Sequence, residues 1–125
     1  MLFRSDSLVV NEMAPRPHNS GHHTIDVCSI NQFGLQLQAV TGQPLSAPTQ
    51  HSTAVMMNLL GDLWGTGEPD WTALEGETGS HLHLYGKSSA RLGRKMGHLT
   101  VLAQPGESRE ALVVRGLALR RSVAR

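Results

Sequence analysis

Residues 11–23 read NEMAPRPHNSGHH, and these thirteen positions hold one carboxylate, one arginine, three histidines, two asparagines and two prolines. The prolines fix φ at Pro15 and Pro17, so the polar groups sit on a stiff backbone. Leu8 to Met13 before them reads as a strand rich in β-formers, which the proline pair stops because proline cannot donate to a ladder. Further upstream, apolar Met1-Leu2-Phe3, polar Arg4 to Ser7 and apolar Leu8-Val9-Val10 have the pattern of a hairpin whose first strand is cut short. The dense polar motif is therefore expected where a strand ends.

The 125 residues suffice for one small domain or for a piece of a larger one, and five aromatic residues are few for a self-sufficient core. Ten acidic against eleven basic residues give a net charge of +1, which singles out neither nucleic acid nor an anionic membrane as partner. The basic residues also lack the interleaved aromatics that stack on bases. Nine of the eleven basic residues are arginine, and both lysines, Lys87 and Lys95, fall in one short segment. A single cysteine, Cys28, excludes an internal disulfide and reads as a small buried thiol in a reducing compartment. No apolar run approaches the ~18 residues that span a bilayer, and no signal-peptide core precedes Arg4 and Asp6. These features predict a soluble, cytoplasmic protein.

Beyond Gly21, apolar residues at Ile25, Cys28, Ile30, Phe33, Leu37 and Val40 recur near helical spacing, predicting a helix over 29–41 with Ser29 as N-cap and Gly42 as stop. Gln43 to Thr53 reads as loop, and Ala54 to Leu60 as a buried strand ended by Gly61-Asp62. Gly65 to Gly79 is a loop with one helical turn at Trp71 to Leu74. His81 to Tyr85 alternates, which puts two histidines on one face, and Met96 to Ala103 reads as its partner strand. Ser108 to Arg125 is an amphipathic helix, with Ser108 as N-cap, Glu110 near its start and Arg120 and Arg121 near its end, in accord with the helix dipole.

Two segments carry chemistry. Glu12 offers a hard oxygen donor for a cation such as Mg²⁺, and Arg16 could clamp a planar anion through two parallel N–H bonds, with His18 and Asn19 adding hydrogen bonds. The same residues also fit a polar turn in which Arg16 pairs with Glu12. The second segment, GKSSARLGRK (86–95), sets Lys87, Arg91, Arg94 and Lys95 among glycines and serines and suits a phosphate, although it lacks the Walker spacing; it equally fits a solvated basic hairpin tip.

The words of the sequence go further. NEMAPRPHNSGHHT, followed by SINQF, AVMMNLLGDLW, HLYGK and GRKMGHLTVL in that order, closely resembles the C-terminal part of the ATP-dependent 5-(carboxyamino)imidazole ribonucleotide synthases of purine biosynthesis, which are ATP-grasp enzymes. The resemblance runs from about Leu8 to about Leu102. It implies an α+β fold, the C-terminal portion of an ATP-grasp fold with mostly antiparallel strands and two main helices. Residues 1–53 would then end the catalytic domain, and 54–125 would form a small C-terminal domain with a basic phosphate-binding hairpin and a terminal helix.

The same resemblance implies use of ATP, Mg²⁺ and bicarbonate to form carboxyphosphate and carboxylate aminoimidazole ribonucleotide, in a homodimer. By motif match, Glu12 is similar to a Mg²⁺ ligand at the ATP phosphates with Asn11 beside it at the nucleotide. Arg16 resembles the arginine that holds bicarbonate or carboxyphosphate, and His18 and Asn19 adjoin it. Lys87 and Arg94 resemble the pair that receives the ribonucleotide phosphate. Ala14 stands where many other ATP-grasp enzymes carry a metal-binding asparagine, as is usual in this family. Family members carry an N-terminal region, a lid and nucleotide-clamping lysines that are absent here, and a second Mg²⁺-binding glutamate belongs at or before Met1. These residues alone are therefore expected to be inactive. The alternatives are a weak anion- or metal-binding module, with His18, His22, His23, His81 and His83 as candidate ligands for a transition metal.

Overall fold

The computed structural model describes residues 2–4, 7–10, 12–65 and 67–124. Strands β1 (Leu2–Arg4) and β2 (Ser7–Val9) form an antiparallel hairpin, in line with the apolar-polar-apolar pattern. Its ladder closes at Leu2↔Val9, so the strand expected to reach Met13 stops at Val9. Val10 and Met13 beyond it are exposed, and Asn11 lies outside the described residues.

The helix expected over 29–41 is interrupted. Helix α1 (Thr24–Val27) ends at Cys28, whose φ of −120° and ψ of 150° are extended, and α2 spans Gln32–Val40. The loop 43–53 causes the break: Ser29 N–H donates to the Thr49 carbonyl at 2.9 Å, its Oγ accepts from Thr49 N–H at 3.0 Å, and Cys28 bridges Gln50. With Ser29 so engaged, Asn31 becomes the cap, its Oδ1 accepting from the N–H groups of Phe33 and Gly34. Cys28 is half-buried rather than fully enclosed.

A three-stranded antiparallel sheet forms from β3 (Ala54–Leu60), β4 (Ser80–Leu84) and β5 (Lys95–Leu102), in the order β3-β5-β4. The period of two sorts its faces. Met57, Leu59, Leu82, Leu99 and Val101 point one way and meet Leu112 and Leu119 of helix α3 (Arg109–Ser122), forming the core with Leu63, Trp64 and Trp71 around it. Ser108 caps α3, its Oγ accepting from Ala111 N–H. The opposite face carries Asn58, His98 and His83 as one row across all three strands. His98 and Thr100 on it are buried, so this face is covered too. The covering comes from residues 19–26, as Asn19 meets Asn58 and Asp26 meets His83.

The chain from β4 to β5 is the basic segment, and Gly61 holds it in place. Gly61 N–H donates to the Arg94 carbonyl at 2.8 Å. A Cβ at position 61 would lie 2.7 Å from the Arg91 nitrogen and closer still to its carbonyl oxygen. These are backbone atoms and cannot swing aside, so Gly61→Ala should destabilise the fold by about 1–3 kcal/mol. Urea unfolding would read the loss, and amide shifts should concentrate in residues 86–95.

Helix α3 is tied to β5 by Arg115, which donates to Glu107 at 2.8 Å and to the Leu102 carbonyl at 2.7 Å. The Arg115 hydrogen bonds, aided by the Gln104 N–H, lower the Glu107 carboxyl from 4.5 to about 2. A depressed carboxylate stabilises the fold above its unfolded value and loses that contribution as pH falls. Glu107→Gln should therefore lower the thermal midpoint at pH 7, and the gap to wild type should close between about pH 4.5 and about 2.

Candidate functional site

Of the residues singled out in the sequence, Glu12, Arg16 and His18 line one cavity of about 290 Å³, together with Ala14, Ser20, Gly21 and Gln32. The irregular stretch 12–14 leads into the bend at Pro15-Arg16, and the single turn Asn19–Gly21 closes the far end. Glu12 and Arg16 are exposed. Arg16 donates to the Pro17 carbonyl at 3.1 Å, so the described contacts give it a neutral oxygen as partner instead of Glu12. His18 Nδ1 hydrogen-bonds Ser20 Oγ at 2.9 Å.

Asn19 turns away from this cavity. Its Nδ2 donates to Asn58 Oδ1 at 2.8 Å, and its Oδ1 accepts from Lys95 Nζ at 2.9 Å. Lys95 therefore bridges the motif and the basic segment, a role that spacing alone did not reveal. Lys87 and Arg94 share that segment but have separate partners. Lys87 donates to the Lys95 carbonyl, lies 5.3 Å from the centre of the Tyr85 ring and lines a second cavity of about 170 Å³ with Trp64, Glu68, Leu84, Gly86 and Met96. Arg94 donates to Ser89 through its carbonyl and Oγ, at 3.0 and 2.9 Å. Trp64 and Trp71 meet edge to face, and both indole N–H groups donate to Glu68, which fixes that carboxylate beside Lys87.

Behind the motif lies a row of imidazoles, of which alternation located His83 but neither His98 nor the covering segment. His83 Nε2 donates to both Asp26 oxygens at 3.0 and 3.1 Å, and the Asp26 side chain is only 6% exposed. The Tyr85 hydroxyl meets His98 Nδ1 at 2.8 Å, while His98 Nε2 is buried without a partner among the described residues. Burial, then the neighbouring His83 and His22, lowers His98 from 6.5 to about 4. The ring therefore stays neutral, and the row is packing held by hydrogen bonds.

Ligand atoms of Asp26, His83 and His98 lie within 4.8 Å of one another. The two rings, however, are stacked 4.5 Å apart at 14°, and an ion bound through ring nitrogens must lie in the plane of each ring, which parallel stacked planes do not allow. Of the other histidines weighed as ligands, His18, His22 and His23 each commit Nδ1 to a hydrogen bond, and His81 Nδ1 stands 3.8 Å from Asp26.

Among the described residues no helix is long and apolar enough to cross a membrane. Residues 54–112 match the phosphoribosylaminoimidazole carboxylase C-terminal domain, and residues 1–33 match the ATP-grasp domain. An N5-carboxyaminoimidazole ribonucleotide synthase of Synechocystis sp. is 51% identical over 104 residues, covering 81% of this chain and 27% of the relative. A phosphoribosylaminoimidazole carboxylase of Schizosaccharomyces pombe is 42% identical over 109 residues, covering 82% of this chain and 20% of the relative. The N5-carboxyaminoimidazole ribonucleotide synthetase structure from Thermotoga maritima superposes with a TM-score of 0.77 at 38% identity, covering 90% of this chain and 32% of that one. A synthase structure from Aspergillus clavatus, in complex with ADP and 5-aminoimidazole ribonucleotide, gives 0.72 at 34%, covering 94% and 31%. The chain thus spans about a quarter of the length of the Synechocystis relative. With both domain matches in order along it, the chain belongs to the N5-carboxyaminoimidazole ribonucleotide synthase family of ATP-grasp proteins and corresponds to that family's C-terminal part.

Proposed function

We propose that the chain supplies the C-terminal part of an enzyme that carboxylates 5-aminoimidazole ribonucleotide with bicarbonate and ATP, giving N5-carboxyaminoimidazole ribonucleotide, ADP and phosphate. The observation that carries this reading is the shared cavity of Glu12, Arg16 and His18, which sets a carboxylate, a guanidinium and an imidazole around a space fit for a small anion. Residues 1–53 end the ATP-grasp catalytic domain and 54–125 form the C-terminal domain. The working protein is a cytoplasmic homodimer.

In the first step a bicarbonate oxygen attacks the γ-phosphorus of ATP, and ADP leaves. In the second the amino nitrogen of the ribonucleotide takes the carboxyl carbon, phosphate leaves and the nitrogen loses a proton. Arg16 holds the bicarbonate and then carboxyphosphate through paired N–H bonds, and His18 adds a directed hydrogen bond. Asn19, fixed by Asn58 and Lys95, keeps the motif in register with the basic segment. Lys87 and Arg94 receive the ribonucleotide phosphate.

Glu12 would hold Mg²⁺, since its exposed carboxylate on the cavity rim is a hard oxygen donor; when bound, that ion neutralises charge at the nucleotide phosphates. Asn11 would lie beside the nucleotide. One such carboxylate is half of the usual metal site, so these residues alone are not expected to turn over.

The test grafts this chain in place of the matching part of the Synechocystis relative and assays ADP release dependent on bicarbonate and aminoimidazole ribonucleotide. Glu12→Gln should lower turnover on the order of 100-fold. Lys87→Ala should raise KM for the ribonucleotide roughly tenfold with little change in kcat. An inactive graft, or parental kinetics in both variants, would reject the assignment. Calorimetry of the ungrafted chain with Mg-ATP should show little heat.

A further inference from the structure

Gln32 opens α2, yet its side chain works at the motif 14 residues away. Its Oε1 accepts from the His18 N–H at 2.8 Å, and its Nε2 donates to the His18 carbonyl at 2.9 Å. One amide thus grips both polar groups of one residue's backbone. The two contacts also fix which end of the amide is which, because the N–H needs an acceptor and the carbonyl needs a donor. Nε2 is thereby directed at His22 Nδ1, 2.6 Å away. That nitrogen must accept, which leaves the His22 ring proton on Nε2.

The surroundings are shaped for this grip. A Cβ at Gly21 would stand 2.6 Å from Gln32 Oε1, so a side chain there would drive the amide off His18. Thr24 anchors the backbone of Gln32: its Oγ1 accepts from the Gln32 N–H at 3.1 Å and donates to the Gly21 carbonyl at 2.6 Å. Gln32 itself lines the cavity that Glu12, Arg16 and His18 share.

We infer that Gln32 is the positioning residue of the anion cavity: its amide clamps the His18 backbone and sets the His22 tautomer, and so fixes the direction from which His18 and the adjoining Arg16 meet the anion. The role of the cavity rests on the function proposed above; the clamp rests on geometry alone, and the experiment separates them.

The ¹⁵N-labelled chain serves, with Gln32→Ala, Gln32→Glu and Gly21→Ala beside wild type. Gln32→Ala should speed hydrogen exchange at the His18 amide on the order of tenfold while core amides at Leu99 and Val101 keep their protection. Gln32→Glu keeps the acceptor for that amide but loses the donor to the His18 carbonyl and turns a second acceptor toward His22 Nδ1. The His18 amide should then stay protected while the His22 ring ¹⁵N shifts move to the doubly protonated form at a pH where wild type shows one protonated nitrogen. Gly21→Ala leaves Gln32 in the sequence and should reproduce the Gln32→Ala exchange, which covers the case in which Gln32→Ala does not fold.

Titration with bicarbonate should shift the His18 and Arg16 resonances of wild type, with affinity roughly tenfold weaker in Gln32→Ala. If wild type binds no bicarbonate while exchange and His22 respond as described, the function assigned to the cavity falls and the clamp stands. Unchanged His18 exchange in both Gln32→Ala and Gly21→Ala, or loss of protection spread evenly over the core, would overturn the clamp.

Discussion

Everything in this structure leans on β5 having no free face. Its residues from Met96 to Val101 are all buried, because α3 covers one side through Leu99 and Val101 and residues 19–26 cover the other. A strand with a single protected face could carry His98 and Thr100 in water. Here they are sealed, so each polar atom on that side needs a partner from the covering segment or from a neighbouring strand. The row Asn58, His98 and His83 meets that need in part, with Asn19, Tyr85 and Asp26, while His98 Nε2 and Thr100 Oγ1 stay buried without a partner among the described residues. Removing one partner would leave a buried group unsatisfied, and this asymmetry gives the covering segment its register against the sheet.

The site follows from that register. The same contact that satisfies Asn58 fixes Asn19, and the other end of the Asn19 amide takes the Lys95 ammonium. The motif of residues 11–23 and the basic segment 86–95, far apart in sequence, are therefore set relative to each other by one amide and one lysine. Gly61 locks the same C-terminal half of the basic segment through backbone contacts with Arg91 and Arg94. The glycine and the asparagine do different work: the first leaves room for a close approach, and the second supplies a donor and an acceptor in fixed geometry.

How much of this was legible in the sequence varies with the range of the interaction. Ala54–Leu60 and the turn at Trp71–Leu74 were read with their observed bounds, because apolar runs and turn residues act locally. Ser108 was read correctly as a cap for the same reason. The helix expected over 29–41 starts only at Gln32 because Ser29 is drawn onto Thr49, a contact 20 residues away that outweighs local capping. Alternation placed His81 and His83 on one face but could not say that Asp26 would close over it. In the motif, the residue types and their crowding marked Glu12, Arg16 and His18. Gln32 escaped notice because a glutamine at the first turn of a helix is ordinary until its amide is seen to reach back.

The pairing of the cations separates scaffold from site. Arg115 and Arg120 each face a carboxylate, Glu107 at 2.8 Å and Asp62 at 3.8 Å, and so give the surface little net field. Arg16, Lys87, Arg94 and Lys95 have neutral oxygens as their described partners, from Pro17, Lys95, Ser89 and Asn19 respectively. A carbonyl or amide oxygen orients a cation without cancelling its charge, although Glu68 lines the cavity of Lys87 and Glu12 that of Arg16. Had a carboxylate stood in place of the Pro17 carbonyl, an arriving anion would have had to displace a bound one, and Arg16 would be a strut. Held by a neutral dipole, it keeps both its direction and its charge, as the anion site proposed for it requires.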